Sequence, residues 1–248
     1  MSIPFLAADW NAPGVVRAGC TLRDGGSSKP PYASLNLGDH VGDEPAAVSG
    51  NRALLRAALR LPSEPLWLQQ VHGTVVLDAD AAGSAGSADA AVTRRPDRVL
   101  AILVADCMPV LLASSDGAVL GAAHAGWRGL AAGVLEATVA AMRTEPRGIH
   151  AWLGPVIGTP QFEVGEEVRA AFVAHDARAA TAFATNARGR WHCDLRLLAR
   201  QRLGALGITS VAAAALSTYA DSARCYSYRR DGRTGRMAAL LWRAGIGG

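Results

Sequence analysis

The centre of the chain, residues 99–129, contains the longest buried segments that the sequence predicts. Its apolar runs occupy residues 99–104, 110–113 and 119–123. Apolar runs of this length, bounded by turn residues, are typical of buried strands. Asp106 and Cys107 come just after the first run, and His124 comes just after the third. Polar or reactive side chains such as these are unexpected at the ends of buried strands unless they contact a ligand.

The rest of the chain predicts further strands alternating with helices. The additional strands are predicted at residues 66–71, 74–77, 149–153, 208–212 and 237–242. The first of these is expected to deliver His72 and to form a hairpin with the second. Small-residue or variable loops are predicted at 79–91 and 176–190. With no internal repeat, linker or low-complexity tail, the pattern indicates one mixed domain over residues 1–248.

Helix signals occupy four segments between these strands. A helix is predicted from a cap at Asp43, with a proline in its first turn, to about Arg60. Further helices are predicted over residues 127–142 and, after Gly165, through residue 173. The last begins at a cap at Asp194 and ends near residue 206.

Composition narrows the possible functions. Half of the 248 residues are hydrophobic and 19% are charged, which argues for a sizeable core and against disorder. The net charge is +4, and the positive charge comes almost entirely from scattered arginines, since Lys29 is the only lysine. Because no basic run is interleaved with aromatic residues, no nucleic-acid partner is expected.

The cysteines and the N-terminus predict a cytoplasmic protein. The four cysteines have no CxxC spacing, so they do not indicate a disulfide framework in a chain of this length. No signal-peptide pattern opens the sequence, and no apolar stretch approaches the roughly 20 residues that span a bilayer. We therefore expect reduced thiols and no membrane association.

His72, Cys107 and His124 are predicted to converge on one metal centre. Zinc takes nitrogen and sulfur ligands tetrahedrally, and catalytic zinc sites combine three protein ligands with an open position. The spacing is too long for a zinc-finger type of site and suits three separate strand ends. A competing interpretation makes Cys107 a nucleophile with His124 as its base, oriented by Asp106 or by a backbone group. Copper is a further alternative for two imidazoles and one thiolate, although six histidines are too few for a multicopper oxidase.

Several motifs together resemble the laccase-domain family, which is also called polyphenol oxidase, purine nucleoside phosphorylase or peptidoglycan editing factor. The motifs are residues 69–73 (QQVHG), 105–111 (ADCMPVL), 124–129 (HAGWRG), 162–165 (FEVG) and 227–230 (SYRR). Arg23, the Gly25–Gly26 pair and residues 34–38 match the N-terminal motifs of the family. The sequence departs from the family pattern at Ser217 and Cys225.

The resemblance implies an α/β (α+β mixed) fold with four layers, α/β/β/α, and mixed sheets. It implies zinc at His72, Cys107 and His124, phosphorolysis of adenosine, inosine, guanosine and methylthioadenosine, and deamination of adenosine. Under this hypothesis the partners are a purine nucleoside and phosphate. The alternative is a cysteine or zinc amidase that edits peptidoglycan precursors.

Four residues outside the metal centre are expected to bind substrate. Arg23, Arg229 and Arg230 are the phosphate candidates, because guanidinium groups match the oxygens of phosphate. Asn36 lies between two leucines, so its amide is expected to face inward and need partners. It is the candidate for bonding the base or the ribose.

Overall fold

The computed structural model describes residues 3–81 and 86–244. The strands are β1 (Phe5–Ala7), β2 (Val16–Thr21), β3 (Leu66–Trp67), β4 (Val76–Asp78), β5 (Ala90–Thr93), β6 (Val99–Val104), β7 (Met108–Ser114), β8 (Leu120–Ala125), β9 (Ile149–Leu153), β10 (Glu163–Val164), β11 (Phe183–Thr185), β12 (Trp191–Cys193), β13 (Ser210–Ala213) and β14 (Met237–Arg243). The α-helices are α1 (Pro45–Leu59), α2 (Trp127–Ala132), α3 (Val134–Met142), α4 (Glu166–Val173), α5 (Leu195–Ala205) and α6 (Tyr228–Asp231).

Two large mixed sheets carry the fold. The first has the strand order β1-β2-β14-β6-β3 and is antiparallel except for the pair β3–β6. The second has the order β13-β9-β7-β8-β5-β4, with parallel pairs only at its two edges. A small antiparallel sheet, β10-β12-β11, lies outside both. The three apolar runs of the sequence are therefore strands, as predicted, but they belong to two different sheets.

The two large sheets pack face to face, and helices cover their outer faces. Alternate residues of β6 show this: Leu100, Ile102 and Val104 join β7 and β8 in the core between the sheets. Their neighbours Val99, Ala101 and Leu103 join the core beneath α1. The outer face of the second sheet packs on α3 and α5. These layers confirm the expected α/β/β/α arrangement, and burial of both faces explains why the strands read as unbroken apolar runs.

The segment around His72 differs from its prediction. The predicted strand at 66–71 is reduced to β3, and β4 pairs with β5 in the second sheet rather than forming a hairpin. The reason lies in Asp89, whose carboxylate accepts hydrogen bonds from three consecutive backbone N–H groups, those of residues 71–73. These groups are thereby withdrawn from the strand ladder, and the chain crosses from one sheet to the other.

The helix predictions need two corrections. The cap of α1 is Glu44, because the Asp43 carboxylate instead accepts hydrogen bonds from Ser28 and Asn36. The helix predicted over 127–142 is divided at Gly133, which takes a left-handed φ of 101° and separates α2 from α3.

The remaining helix and loop predictions have mixed outcomes. Asp194 caps α5 through the N–H of Leu197, as predicted. The predicted loop at 176–190 contains a 3-10 turn and β11. The predicted loop at 79–91 ends in β5, and its residues 82–85 lie outside the described part of the chain. Among the described residues no helix combines the length and apolar character needed to cross a bilayer.

Candidate metal centre

The structure brings His72, Cys107 and His124 together. His72 lies in the turn between β3 and β4, Cys107 immediately precedes β7, and His124 belongs to β8. Because β7 and β8 are paired with Pro109 opposite His124, Cys107 lies beside the His124 side chain. One ligand atom from each of the three residues lies within 4.8 Å of the others. Residues from two connections between strands and from strand β8 therefore form a single cluster.

The cluster fits a tetrahedral metal ion. Zinc–ligand bonds of about 2.3 Å to sulfur and about 2.0 Å to nitrogen place tetrahedral ligand atoms roughly 3.5 Å apart. His72 Nε2 lies 3.8 Å from Cys107 Sγ, and the two imidazole rings meet edge to face with their centroids 4.8 Å apart. A thiolate with two imidazoles suits zinc or copper and is a poor set for magnesium or calcium. Three ligands leave a fourth position free for water or substrate.

Asp89 organises two of the three ligands. Its fully buried carboxylate accepts from His124 Nδ1 at 2.8 Å and from the backbone N–H of His72 at 2.8 Å. The first bond leaves His124 Nε2 available, an arrangement typical of metal-bound histidines. The second helps to hold His72 at a left-handed φ of 63°, which is unfavourable for a residue with a side chain. One acidic side chain thus fixes two of the three candidate ligands.

Asp106 sets the turn that presents Cys107. It has a φ of 97°, and its carboxylate accepts from the Thr218 hydroxyl and from the backbone N–H of Arg229, both at 2.6 Å. These bonds draw the Asp106 carboxylate toward the 217–230 segment. Asp106 therefore shapes the backbone before β7, while Asp89 is the carboxylate that contacts a ligand.

The electrostatics of the cluster favour a thiolate. Burial alone would raise the pKa of Cys107, but His124 and His72 lower it to about 6. Burial would lower the pKa of His124, but the Cys107 thiolate and Asp89 raise it to about 9. Burial likewise opposes ionisation of Asp89, yet its bonds to His124 and Gly73 hold its pKa below the usual value. Without a metal, the mutual contact of Cys107 and His124 favours the thiolate on Cys107 and the protonated ring on His124.

The cluster opens into a cleft of about 420 Å³, a volume within the usual range for small-molecule sites. Besides the three ligands the lining includes His40, Gln70, Arg128, Tyr228 and Arg236. Tyr228 exposes 61% of its surface, so its ring is available to a ligand. A larger groove of about 820 Å³ runs along α1, but none of the three metal-ligand candidates lines it.

Arg23 and Asn36 do not line this cleft. The Arg23 guanidinium donates to the carbonyls of Ala33 and Ser222 and stacks on Tyr226 at 4.9 Å. The Asn36 amide is fully buried and is shared among Gly38, Asp43 and Arg236. Both residues hold loops together.

Arg229 and Arg230 also lie outside the cleft lining. All five N–H donors of Arg230 are used, by the carbonyls of Thr218, Tyr219 and Cys225 and by both oxygens of Asp231. Arg229 donates to the Glu163 carbonyl and packs over the Phe162 ring. Of the seven predicted site residues, the structure therefore brings only the two histidines and the cysteine together.

Sequence reasoning missed the residues that surround the ligands. Asp89 had a local signal, since it is a lone acid beside a run of small apolar residues. Arg128 and Tyr228 lie inside the motifs at residues 124–129 and 227–230. Nothing in these motifs marks the two residues, rather than their neighbours, as lining the cleft. Arg236 has no local signal, because only the pairing of β14 with β6 brings it near Cys107.

The fold and the centre define a mixed α/β protein with a His–Cys–His cluster at the mouth of a cleft. A family model described as multi-copper polyphenol oxidoreductase laccase matches residues 17–244. The chain belongs to this family, which confirms the resemblance that the motifs indicate. Within the described residues, His72, Cys107 and His124 are the one group of three such side chains placed to hold a metal.

Similar proteins cover almost the whole chain. A Pseudomonas aeruginosa protein named purine nucleoside phosphorylase is 50% identical over 96% of this chain and 98% of its own length. An Escherichia coli protein of the same name is 48% identical with the same coverage. The crystal structure of a Neisseria meningitidis protein has a TM-score of 0.93 and 45% identity, covering 97% of this chain and 99% of that one.

Proposed function

We propose that the protein is a zinc-dependent purine nucleoside phosphorylase that also deaminates adenosine, with adenosine, inosine, guanosine and methylthioadenosine as substrates. The observation that carries this proposal is the cluster of three ligand atoms, open on one side to a cleft of nucleoside size. The names of the similar proteins from P. aeruginosa and E. coli support the substrate class. Zinc is preferred to copper because the chain has too few histidines for a multicopper cluster.

The proposed roles follow from the chemistry of the side chains. His72, Cys107 and His124 hold the metal, which when bound supplies a Lewis acid and lowers the pKa of a bound water. Asp89 keeps the proton of His124 on Nδ1, so that Nε2 faces the cleft. The exposed Tyr228 ring offers a flat face on which a purine base can stack.

The test combines metal analysis with product analysis. We expect about one zinc per chain, and adenine plus ribose 1-phosphate from adenosine and phosphate. Adenosine without phosphate should give inosine. In Cys107→Ala the metal and both activities should be lost, while Cys193→Ala, which removes a buried thiol in the small sheet, should keep them. Stoichiometric zinc without turnover of any of the four nucleosides would overturn the proposal.

A second candidate is a cysteine-dependent amidase that acts on peptidoglycan precursors. The specific observation in its favour is that Cys107, His124 and Asp89 are arranged as a nucleophile, a base and an orienting acid. The His124 imidazole bonds the Asp89 carboxylate, and the pKa of Cys107 is lowered to about 6. A ligated thiolate is not a free nucleophile, so the two candidates exclude each other. Protein that contains no metal, is alkylated rapidly at Cys107 and releases the amino acid from a UDP-linked muramoyl amino acid would favour the amidase.

The compartment and partners are part of the same proposal. Four free cysteines suit a reducing environment, so we place the activity in the cytoplasm. The proposed ligands are small molecules, with no nucleic-acid partner. Fractionation of cells that express the tagged protein tests this placement.

A further inference from the structure

Two arginines with free donors line the cleft beside the metal-ligand cluster. Arg128 is exposed and stacks on the ring of Trp127 at 4.6 Å, and no hydrogen bond or ion pair engages its guanidinium within the described residues. Arg236 is half-buried and uses Nη1 for the carbonyls of Thr234 and Gly235. Its Nε and Nη2 atoms have no partner among the described residues. These donors therefore remain available to a ligand.

Among the residues that the structure describes, the lining of the cleft includes no carboxylate to neutralise these two cations. Some arginines that line other surface grooves have an acidic neighbour. In the groove along α1, for example, Asp39 lies 3.3 Å from Arg52. A metal dication held by one thiolate and two neutral imidazoles would add further positive charge at the floor of the cleft. The cleft therefore favours an anion, and guanidinium groups match the oxygens of phosphate in pairs.

Arg236 is held in a fixed position by the segment around Asn36. The Asn36 Oδ1 atom accepts from the backbone N–H of Arg236 at 2.8 Å and from that of Gly38 at 3.0 Å. The stem of Arg236 lies against Gly38 so closely that a Cβ there would be 2.7 Å from its Cγ. A side chain that is fixed before binding loses less conformational entropy when it binds a ligand. Asn36 is thus a positioning residue for Arg236.

We infer that Arg128 and Arg236 form the subsite for inorganic phosphate, the second substrate of phosphorolysis. The inference rests on the proposed function. In the reaction a phosphate oxygen bonds to C1′ of the ribose while the C1′–N9 bond breaks. The bonding electrons stay on the purine, which receives the proton that hydrogen phosphate carries. The two guanidinium groups hold the phosphate beside the centre, and deamination, which uses no phosphate, does not need them.

The test measures the two substrates separately. In Arg236→Gln and in Arg128→Gln we expect the KM for phosphate to rise by about tenfold or more, as for the loss of hydrogen bonds to a charged group. The KM for adenosine and the rate of deamination should change by much less than the KM for phosphate. Arg236→Lys, which keeps the positive charge, should retain more phosphate affinity than Arg236→Gln. Arg147→Gln, an exposed arginine beside the far end of β9, is the matched control and should change nothing.

A second variant moves Arg236 without removing its charge. Gly38→Ala introduces a Cβ against the Arg236 stem and should also raise the KM for phosphate. Calorimetric titration with inorganic phosphate provides a readout besides activity, and its Kd should rise by at least about tenfold in Arg236→Gln.

The outcomes separate this inference from the proposed function. If the wild type forms no ribose 1-phosphate, the proposed function fails, and the calorimetric comparison of wild type with Arg236→Gln still decides the subsite. If the wild type is active and the KM and Kd for phosphate are unchanged in Arg128→Gln and in Arg236→Gln, the subsite assignment is wrong. Since Arg128 is exposed, its variant should fold even if Arg236→Gln does not.

Discussion

The metal-ligand cluster and the arginine network around Tyr226 both consist of polar, ionisable side chains. They differ in what those side chains contact. In the network, Arg230 uses all five of its donors and Arg23 stacks on Tyr226, whose hydroxyl donates to the Tyr32 carbonyl. In the cluster, the Nε2 atoms of the histidines and the Cys107 sulfur converge on one another and face a cleft. Unpartnered, convergent atoms distinguish a binding site from a structural polar network.

The two regions also differ in how they are supported. In the arginine network, the guanidinium groups donate their hydrogen bonds to loop carbonyls. The cluster is supported by the buried Asp89 carboxylate. This carboxylate accepts from the His124 ring and from the backbone N–H of His72. Supporting residues of this kind are characteristic of metal sites. Asp89, rather than a motif arginine, is therefore the residue whose substitution should disturb the site most.

The largest effect is expected from Asp89→Asn. The amide cannot accept all four hydrogen bonds as a carboxylate does, and it releases both His124 and the turn at His72. We expect metal affinity to fall by about 10- to 100-fold, with activity falling in parallel. Metal-buffered titration measures the affinity. Asp116→Asn, in the hairpin turn at the far end of β7 and β8, is the matched control and should keep the wild-type affinity.

Gly126→Ala should disturb the cluster without changing a ligand. A Cβ at this position would be 3.0 Å from Cys107 Sγ and 3.1 Å from His72 Cδ2, so the ligands must shift by a few tenths of an ångström. We expect activity to fall by up to about tenfold, since a misplacement of about 1 Å can cost about a hundredfold in rate. Steady-state kinetics at saturating metal measure the effect. Wild-type kinetics in this variant would show that the cluster is not the reaction centre.

Thiol reactivity gives a third, pH-dependent test. In metal-free protein the pKa of Cys107 is about 6, so its alkylation rate should rise by about tenfold from pH 5 to pH 7 and then level off. An ordinary thiol, with a pKa near 8.5, would rise by about a hundredfold without a plateau. Burial raises the pKa values of Cys193 and Cys225 to about 12, so neither should react in the folded protein. Mass spectrometry of the modified peptide identifies the site, and added zinc should protect it.

The smallest effect on activity is expected in the arginine network. Arg230→Gln leaves several carbonyls without a donor, so we expect the free energy of unfolding to fall by about 2 kcal/mol and Tm by about 4–8 °C. The KM for phosphate and kcat should stay within about twofold of the wild type. Thermal unfolding and kinetics on the same sample make the comparison. A large rise in the KM for phosphate with an unchanged Tm would reverse the roles of the two regions.

Much of the architecture could be predicted from local patterns. The buried strands β6, β7 and β8, the cap at Asp194 and the four layers follow from apolar runs, turn residues and the family resemblance. The crossing at His72 could not be predicted, because it depends on Asp89, which is 17 residues away in the chain. The break at Gly133 was missed because the apolar pattern continues across it.

The sequence alone predicted that His72, Cys107 and His124 gather at one candidate metal centre near strand ends. It did so because apolar runs and residue types are local properties. Which arginines have free donors and which donate to backbone carbonyls depends on the tertiary fold. That distinction separates Arg236 from Arg230, and it depends on hydrogen bonds between segments that are distant in the chain.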